Sequence, residues 1–123
     1  MHLLIVDDDV LLLEFLQDAL CDPGYQLSTA RNGEEALQRI QQQPPDLLLT
    51  DLVMPEKDGI TLIAAVRRFL PALYIVAMSG RSRNDLDIDT LELVRMLGAD
   101  AVLHKPFTLD ELHQVLRGGS QRH

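Results

Sequence analysis

The chain alternates short, continuous apolar runs with segments whose apolar residues recur every three or four positions, and it does so five times. A short apolar run bounded by polar residues is typical of a strand buried on both faces, whereas the longer spacing is typical of an amphipathic helix. Five such pairs predict a parallel sheet with helices on both faces. The predicted strands are 3–6, 25–30, 47–50, 73–78 and 101–104, and the predicted helices centre on 12–20, 36–40, 60–66, 91–97 and 109–116.

Size, charge and cysteine content narrow the class of protein. The 123 residues suit one domain with its own core, and the single Cys21 cannot form an internal disulfide, as befits a reducing compartment such as the cytoplasm. The apolar run 3–6 is cut short by Asp7 and follows no basic segment, so it is neither a signal peptide nor a membrane span. A net charge of −8 disfavours nonspecific nucleic-acid binding, which depends on Lys and Arg neutralising phosphates. We therefore expect a cytoplasmic protein that binds neither membrane nor nucleic acid directly.

Acidic, hydroxyl and basic side chains that could form one binding site follow the predicted strands at their carboxyl ends, where parallel sheets bind ligands. Strand one is followed by three acids from Asp7 onward, strand three by Asp51, strand four by Ser79 and strand five by Lys105. Two carboxylates about 4 Å apart repel by roughly 4 kcal/mol at an effective dielectric near 20, so the acids require a cation. Mg²⁺ suits a few carboxylates with waters and a phosphate. The set predicts a phosphoryl-transfer site with a carboxylate nucleophile.

Helix capping explains one of these acids more simply. An Asp before a helix commonly accepts hydrogen bonds from the amides of the first turn, and Asp8 or Asp9 suits that role. We assign capping to Asp9 ahead of any metal role. Capping does not account for the other acids, least of all for Asp51 on a different strand.

Two further groups of residues have plain structural explanations. Met54-Pro55 and Asp58-Gly59 are expected to shape the loop between the third strand and the third helix. The histidines show no metal-binding spacing and no evident partner, so we expect surface positions for them. They are His2, His104, His113 and His123.

Five motifs occur in fixed order: Leu3-Leu4-Ile5-Val6-Asp7-Asp8-Asp9, Thr50-Asp51-Leu52-Val53-Met54-Pro55 with Asp58-Gly59, Met78-Ser79-Gly80, Gly98-Ala99-Asp100 and Lys105-Pro106-Phe107. Over nearly the whole chain they resemble the receiver domain of two-component response regulators. The most specific motif is an Asp followed by Met-Pro and then Asp-Gly. The resemblance implies a five-stranded, flavodoxin-like sheet of order 2-1-3-4-5, with a receiver domain over residues 1–118 and a short tail over 119–123.

The resemblance also implies a set of metal ligands. Asp51 would be the phosphorylated residue and would contact Mg²⁺. Asp8 would bind the ion directly, whereas Asp7 would act largely through water. The backbone carbonyl of Val53 would complete the protein ligands.

The remaining implied roles concern the phosphoryl group and its source. Ser79 would bond a phosphoryl oxygen, and Lys105 would pair with the group. Family members usually have a cis peptide at the position of Lys105-Pro106. A sensor histidine kinase or a histidine phosphotransfer protein would supply the phosphoryl group, and a protein of unknown identity would receive the signal. The domain would hydrolyse its own aspartyl phosphate without being an enzyme by purpose.

Three features depart from the family pattern. The segment between Ser79 and Lys105 is longer by roughly one helical turn, with the extra residues near 81–89. Val102 stands where the family often has Tyr or Phe. The sequence ends after the last helix, so we expect a stand-alone receiver. Val102 is short and β-branched and has no aromatic ring that could move between exposed and buried positions. We therefore predict that phosphorylation pulls Ser79 and reorders the loop over 81–89 together with the first turn of the helix that follows it.

Three alternatives stay open. A nonphosphorylated pseudo-receiver would use the same fold purely for protein interaction. A haloacid-dehalogenase-type phosphohydrolase would use Asp7 as nucleophile, but Leu11 stands where Thr or Val is expected and no cap insertion is present. A flavodoxin- or dinucleotide-binding protein would need a loop rich in glycine or hydroxyl groups after strand one, where acids would repel phosphates.

Overall fold

Five parallel strands form one sheet in the computed structural model, which describes residues 1–21, 24–52, 59–79, 95, 96 and 98–122. The strand order β2-β1-β3-β4-β5 is the one predicted, and every strand begins and ends within one residue of the predicted bounds. The strands are β1 (His2–Val6), β2 (Gln26–Ala30), β3 (Leu47–Asp51), β4 (Tyr74–Ser79) and β5 (Ala101–His104).

Helices cover both faces of this sheet, as predicted. Alternate residues along each strand enter two apolar clusters, one shared with α2 and α3 and the other with α1 and α4. Residues 95 and 96 are also helical, whereas most of the predicted helix over 91–97 lies outside the described residues. None of the described helices is long and apolar enough to cross a membrane. The helices are α1 (Val10–Ala19), α2 (Gly33–Gln42), α3 (Gly59–Phe69) and α4 (Leu109–Arg122).

The last helix extends further than the sequence suggested. We expected a short tail over 119–123, but α4 continues through Arg122 and crosses that boundary. A Cβ at Gly119 would lie 2.6 Å from Leu47 Cδ1 and 3.0 Å from Tyr74 Cδ1. The missing side chain therefore lets the end of α4 approach the sheet closely, and this packing outweighs the low helix propensity of glycine.

Arg67, near the end of α3, fixes the turn that leads into β5. Its guanidinium donates hydrogen bonds to the carbonyl oxygens of Gly98, Pro71 (2.7 Å) and Leu73 (2.8 Å), and to Asp100 Oδ2 (2.9 Å). Gly98 has a φ of 133°, in the region that favours glycine. These bonds position β5 against β4, and hence the residues that follow β5.

Candidate functional site

The carboxyl ends of β1 and β3 bring three acids together. Asp7 and Asp8 directly follow β1, and Asp51 is the last residue of β3. Each offers a carboxylate oxygen, and these three oxygens lie within 4.8 Å of one another. Asp7 and Asp51 are buried, whereas Asp8 is exposed. The structure thus groups the three side chains that the sequence nominated as metal ligands.

Asp9 faces the adjacent helix instead. Its Oδ1 accepts hydrogen bonds from the backbone amides of Leu11 (3.1 Å) and Leu12 (3.3 Å), which makes it the N-cap of α1. The backbone amide of Asp9 donates in turn to Asp7 Oδ1 at 2.9 Å. The predicted capping role is confirmed, and the cap also fixes one oxygen of Asp7.

Lys105 supplies a cation to the two buried acids. Its Nζ lies 2.6 Å from Asp7 Oδ2 and 3.6 Å from Asp51 Oδ1. The backbone amide of Lys105 donates to the carbonyl oxygen of Ser79 at 3.3 Å, and the Lys105-Pro106 peptide is cis, as is usual in the family that the sequence resembles. Three carboxylates and one ammonium leave a formal charge of −2 at the site, because −3 and +1 sum to that value.

The backbone around Asp51 is held from several directions. Its Oδ1 accepts a hydrogen bond from Leu52 N at 2.9 Å, and its carbonyl oxygen accepts one from Thr50 Oγ1 at 3.0 Å. Gly59, the first residue of α3, donates to the Leu52 carbonyl at 3.1 Å. A Cβ at Gly59 would overlap the Asp51 carbonyl oxygen and lie 2.8 Å from Leu52 Cα. Glycine is therefore required here by close contact, whereas the sequence suggested only a loop role.

Several predicted features lie outside the described residues. They are the carbonyl ligand of Val53, the Met54-Pro55 pair, Asp58, Gly80 and the stretch 81–89. Val53 as a ligand and the reordering of 81–89 therefore remain predictions.

Ser79 has a partner that sequence reasoning missed. Ser79 is the last residue of β4, only 2% exposed, and pairs in register with His104 of β5. Its Oγ lies 2.7 Å from Nδ1 of His104. The expectation of a histidine without a partner was wrong here. The residue before Lys105 falls opposite Ser79 once β4 and β5 are aligned, and that alignment was the signal available in the sequence.

His104 is exposed as expected, whereas the expectation of a surface position was wrong for His2. This residue is 9% exposed, and its Nε2 lies 2.8 Å from Ser28 Oγ. His113 is partly buried, and His123 lies outside the described residues. His2 is in β1, whose amino end lies away from the acids, so it belongs to the packing of the sheet and not to the site.

The donor set fits a hard divalent cation. Carboxylate oxygens with room for water suit Mg²⁺, and one such ion would neutralise the formal charge of −2. The cluster lies at the carboxyl ends of β1 and β3, between which the strand order reverses. A crevice at that point is where doubly wound sheets bind ligands. Fold and site together define a flavodoxin-like α/β protein with an acidic cluster at its topological switch point.

Comparison with known families identifies the chain more closely. The family model described as "Response regulator receiver domain" matches residues 3–117. The chain therefore belongs to the response regulator receiver domain family of two-component signalling systems.

Individual relatives agree with this assignment. The chain is 34% identical over 119 residues to the transcriptional regulatory protein KdpE of Mycobacterium tuberculosis, covering 97% of this chain and 50% of KdpE. It is 35% identical over 107 residues to the DNA-binding transcriptional regulator NtrC of Escherichia coli K12, covering 87% of this chain and 22% of NtrC. The chain thus spans about half or less of the length of these curated relatives.

Solved structures show the same fold. A putative response regulator from Chloroflexus aurantiacus superposes with a TM-score of 0.84 at 34% identity, covering 97% of each chain. The receiver domain of NtrX from Brucella abortus superposes with a TM-score of 0.86 at 28% identity, covering 97% of this chain and 98% of that one.

Proposed function

We propose that this chain accepts a phosphoryl group on the Asp51 carboxylate in the presence of Mg²⁺ and passes the signal to a protein partner. The observation that carries the proposal is the grouping of three acid oxygens within 4.8 Å, with Lys105 Nζ 3.6 Å from Asp51 Oδ1. Receiver domains are phosphorylated by histidine kinases and bind Mg²⁺ at an acidic pocket. A sensor histidine kinase or a histidine phosphotransfer protein is therefore the proposed donor.

The contacts of Asp7 support an indirect role in metal binding. Its Oδ1 accepts the Asp9 amide and its Oδ2 pairs with Lys105, so both oxygens already have close partners. Exposed Asp8 has better access to an ion, and it is the proposed direct ligand together with Asp51 and the Val53 carbonyl. The same contacts disfavour Asp7 as a nucleophile, and with it the phosphohydrolase alternative.

The transfer itself follows from charge and position. An Asp51 oxygen attacks the phosphorus of a phosphohistidine in line, a P–O bond forms, and the P–N bond breaks as its electron pair returns to the imidazole. Lys105 pairs with one phosphoryl oxygen, and the Ser79 hydroxyl donates to another. Bound Mg²⁺ would supply further neutralisation of the phosphoryl oxygens. The protein's contribution is positioning and electrostatic stabilisation, and water later hydrolyses the acyl phosphate.

The metal assignment is tested by neutralising neighbouring acids one at a time. Asp8→Asn should weaken Mg²⁺ binding by about tenfold or more, because a charged ligand is lost. Calorimetric titration gives the affinity, and the Mg²⁺-dependent rise in melting temperature gives an independent measure. Asp9→Asn is the matched control, since asparagine retains the cap and removes the same charge. Equal affinities in wild type and Asp8→Asn would refute the assignment.

Exposed apolar side chains beside the acids support a protein as the phosphoryl donor. Leu11 is 76% exposed and Phe15 is 49% exposed, and a spacing of four residues places both on one side of α1. The helix begins at Val10, directly after the acids. An apolar patch next to a charged site is suited to docking of a partner protein.

This docking surface is tested by comparing two phenylalanines of similar exposure. Phe15→Ala should slow phosphotransfer from an autophosphorylated histidine kinase by roughly tenfold, because apolar contact area is lost, yet leave labelling by acetyl phosphate unchanged. Phe69→Ala, in a residue 47% exposed at the far end of α3, should alter neither rate. Kinases encoded in the same genome serve as donors. A Phe15 variant that reacts normally with the kinase that labels the wild type most rapidly would exclude this surface.

The proposed recipient of the signal is a protein, and the proposed location is the cytoplasm, where phosphoryl donors derived from ATP are available. The net charge of −8 supports a protein over a nucleic acid as recipient, because the negatively charged chain would repel the phosphate backbone of a nucleic acid.

A further inference from the structure

The hydrogen bond between Ser79 and His104 joins a proposed phosphoryl contact to a residue with no assigned role. The two side chains extend from paired positions of β4 and β5, and Oγ lies 2.7 Å from Nδ1. His104 itself is exposed, whereas Ser79 is buried. Lys105, the next residue along the chain, extends to the acids. The end of β5 therefore contacts the site through two consecutive side chains.

We propose that His104 is a positioning residue: its Nδ1 accepts a hydrogen bond from the Ser79 hydroxyl in the unphosphorylated protein, and Ser79 exchanges this acceptor for a phosphoryl oxygen once Asp51 is phosphorylated. The inference rests on the proposed function, because it takes Ser79 as a donor to the phosphoryl group.

The direction of the hydrogen bond between Ser79 and His104 follows from the donors and acceptors that the hydroxyl and the imidazole carry. A serine hydroxyl carries one proton, and a buried hydroxyl must donate it to an acceptor. Nδ1 of His104 is that acceptor among the described residues. A neutral imidazole that accepts at Nδ1 carries its proton on Nε2, and the exposed ring can donate that proton to water. This tautomer satisfies both side chains.

Because Ser79 has a single proton, its two acceptors compete. In the unphosphorylated protein the hydroxyl is held by a neutral nitrogen. A phosphoryl oxygen is negatively charged and forms a stronger, charge-assisted hydrogen bond. The exchange is therefore favourable after phosphorylation, and it leaves the imidazole of His104 without its contact to β4. The unphosphorylated form, in contrast, is stabilised by His104.

The direction in which His104→Ala changes the affinity for a phosphoryl mimic distinguishes competition for the Ser79 hydroxyl from a merely structural role of His104. With saturating Mg²⁺ and beryllofluoride as the phosphoryl mimic, His104→Ala should bind the mimic about fivefold more tightly than wild type, because no acceptor retains Ser79. His104→Asn should restore the wild-type affinity, since its Oδ1 can take the place of Nδ1. In a Ser79→Ala background, His104→Ala should have no effect.

Three results would overturn the inference: unchanged or weaker binding by His104→Ala, failure of His104→Asn to restore the affinity, or the same gain without Ser79. A histidine that only supports the fold would lower affinity and melting temperature together.

A direct readout is the ¹⁵N resonance of His104 Nδ1. Adding beryllofluoride should shift this resonance in the wild type, because Nδ1 loses the hydrogen bond from Ser79. In Ser79→Ala that hydrogen bond is absent from the start, so the resonance should already lie near its position in the wild type with bound mimic and should not shift when beryllofluoride is added. The ¹⁹F signal of the bound mimic, absent in Asp51→Asn, shows whether Asp51 is occupied. Occupied Asp51 with an unmoved His104 resonance would overturn this inference alone. No bound mimic in the wild type would overturn the proposed function and this inference with it.

Discussion

Incubation with acetyl phosphate and Mg²⁺ is expected to add one phosphoryl group to the wild-type chain and none to Asp51→Asn. The substitution replaces the nucleophilic carboxylate with an amide of the same shape, so the loss of labelling should be essentially complete. Leu52 N, which donates to Asp51 Oδ1, can still donate to the amide oxygen, so the fold should persist. Intact mass and lability to hydroxylamine identify an acyl phosphate, and borohydride trapping followed by peptide mass spectrometry locates it.

Asp7→Asn provides the comparison, because it changes a neighbouring buried acid that is not the proposed acceptor. Asp7→Asn should slow labelling and leave its position unchanged. Label found on Asp7 would revive the phosphohydrolase alternative. A wild-type protein that takes no label from any donor would support the pseudo-receiver.

Removing the charge of Lys105 is expected to separate metal binding from phosphorylation. In Lys105→Met, Mg²⁺ affinity should be retained or increased, because the ammonium 2.6 Å from Asp7 Oδ2 no longer opposes a second cation. Phosphorylation by acetyl phosphate should slow by roughly a hundredfold, since a fixed cation is missing from the transition state. The Mg²⁺-dependent rise in melting temperature should be larger than in the wild type, because the acids of the apoprotein then lack a counter-ion.

Lys105→Arg is the control for charge alone, and it should retain more activity than Lys105→Met without reaching the wild-type rate. Normal phosphorylation of the Met variant would limit Lys105 to balancing the acids in the metal-free protein. Weaker Mg²⁺ binding in that variant would contradict the competition between the two cations.

The sheet was predictable from sequence because its strands are buried on both faces. Continuous apolar runs such as Leu47 to Leu49 are best explained as buried strands in a chain of this size. The helical segments between these runs then favour a parallel sheet. The acids were predictable for the same reason, since parallel strands place their carboxyl ends together. The cap at Asp9 is a local feature, formed with amides two and three residues away, so a local pattern sufficed.

Features that depend on register or on distant packing were not predictable in this way. The contact between His104 and Ser79 joins residues 25 positions apart and depends on how β4 and β5 align. Arg67 reaches Asp100 across 33 positions, although a charged residue on an amphipathic helix ordinarily faces water. Gly119 was assigned to a short tail, because composition does not show that it packs closely against Leu47 and Tyr74.

The close contact between Gly59 and Asp51 restricts how the backbone of the acidic site can move. The Asp51 carbonyl lies directly under the start of α3, and Leu52 is bonded both to Gly59 and to the Met78 carbonyl at 3.2 Å. The Asp51 backbone therefore cannot shift toward the start of α3 without displacing that helix. The Lys105 side chain, whose Nζ lies 3.6 Å from Asp51 Oδ1, has more freedom to move than this backbone. If Asp51 is phosphorylated as proposed, we therefore expect the larger structural changes at the β4–β5 edge, where Ser79 ends β4 and Lys105 follows β5, and smaller ones at the opposite edge, at β2.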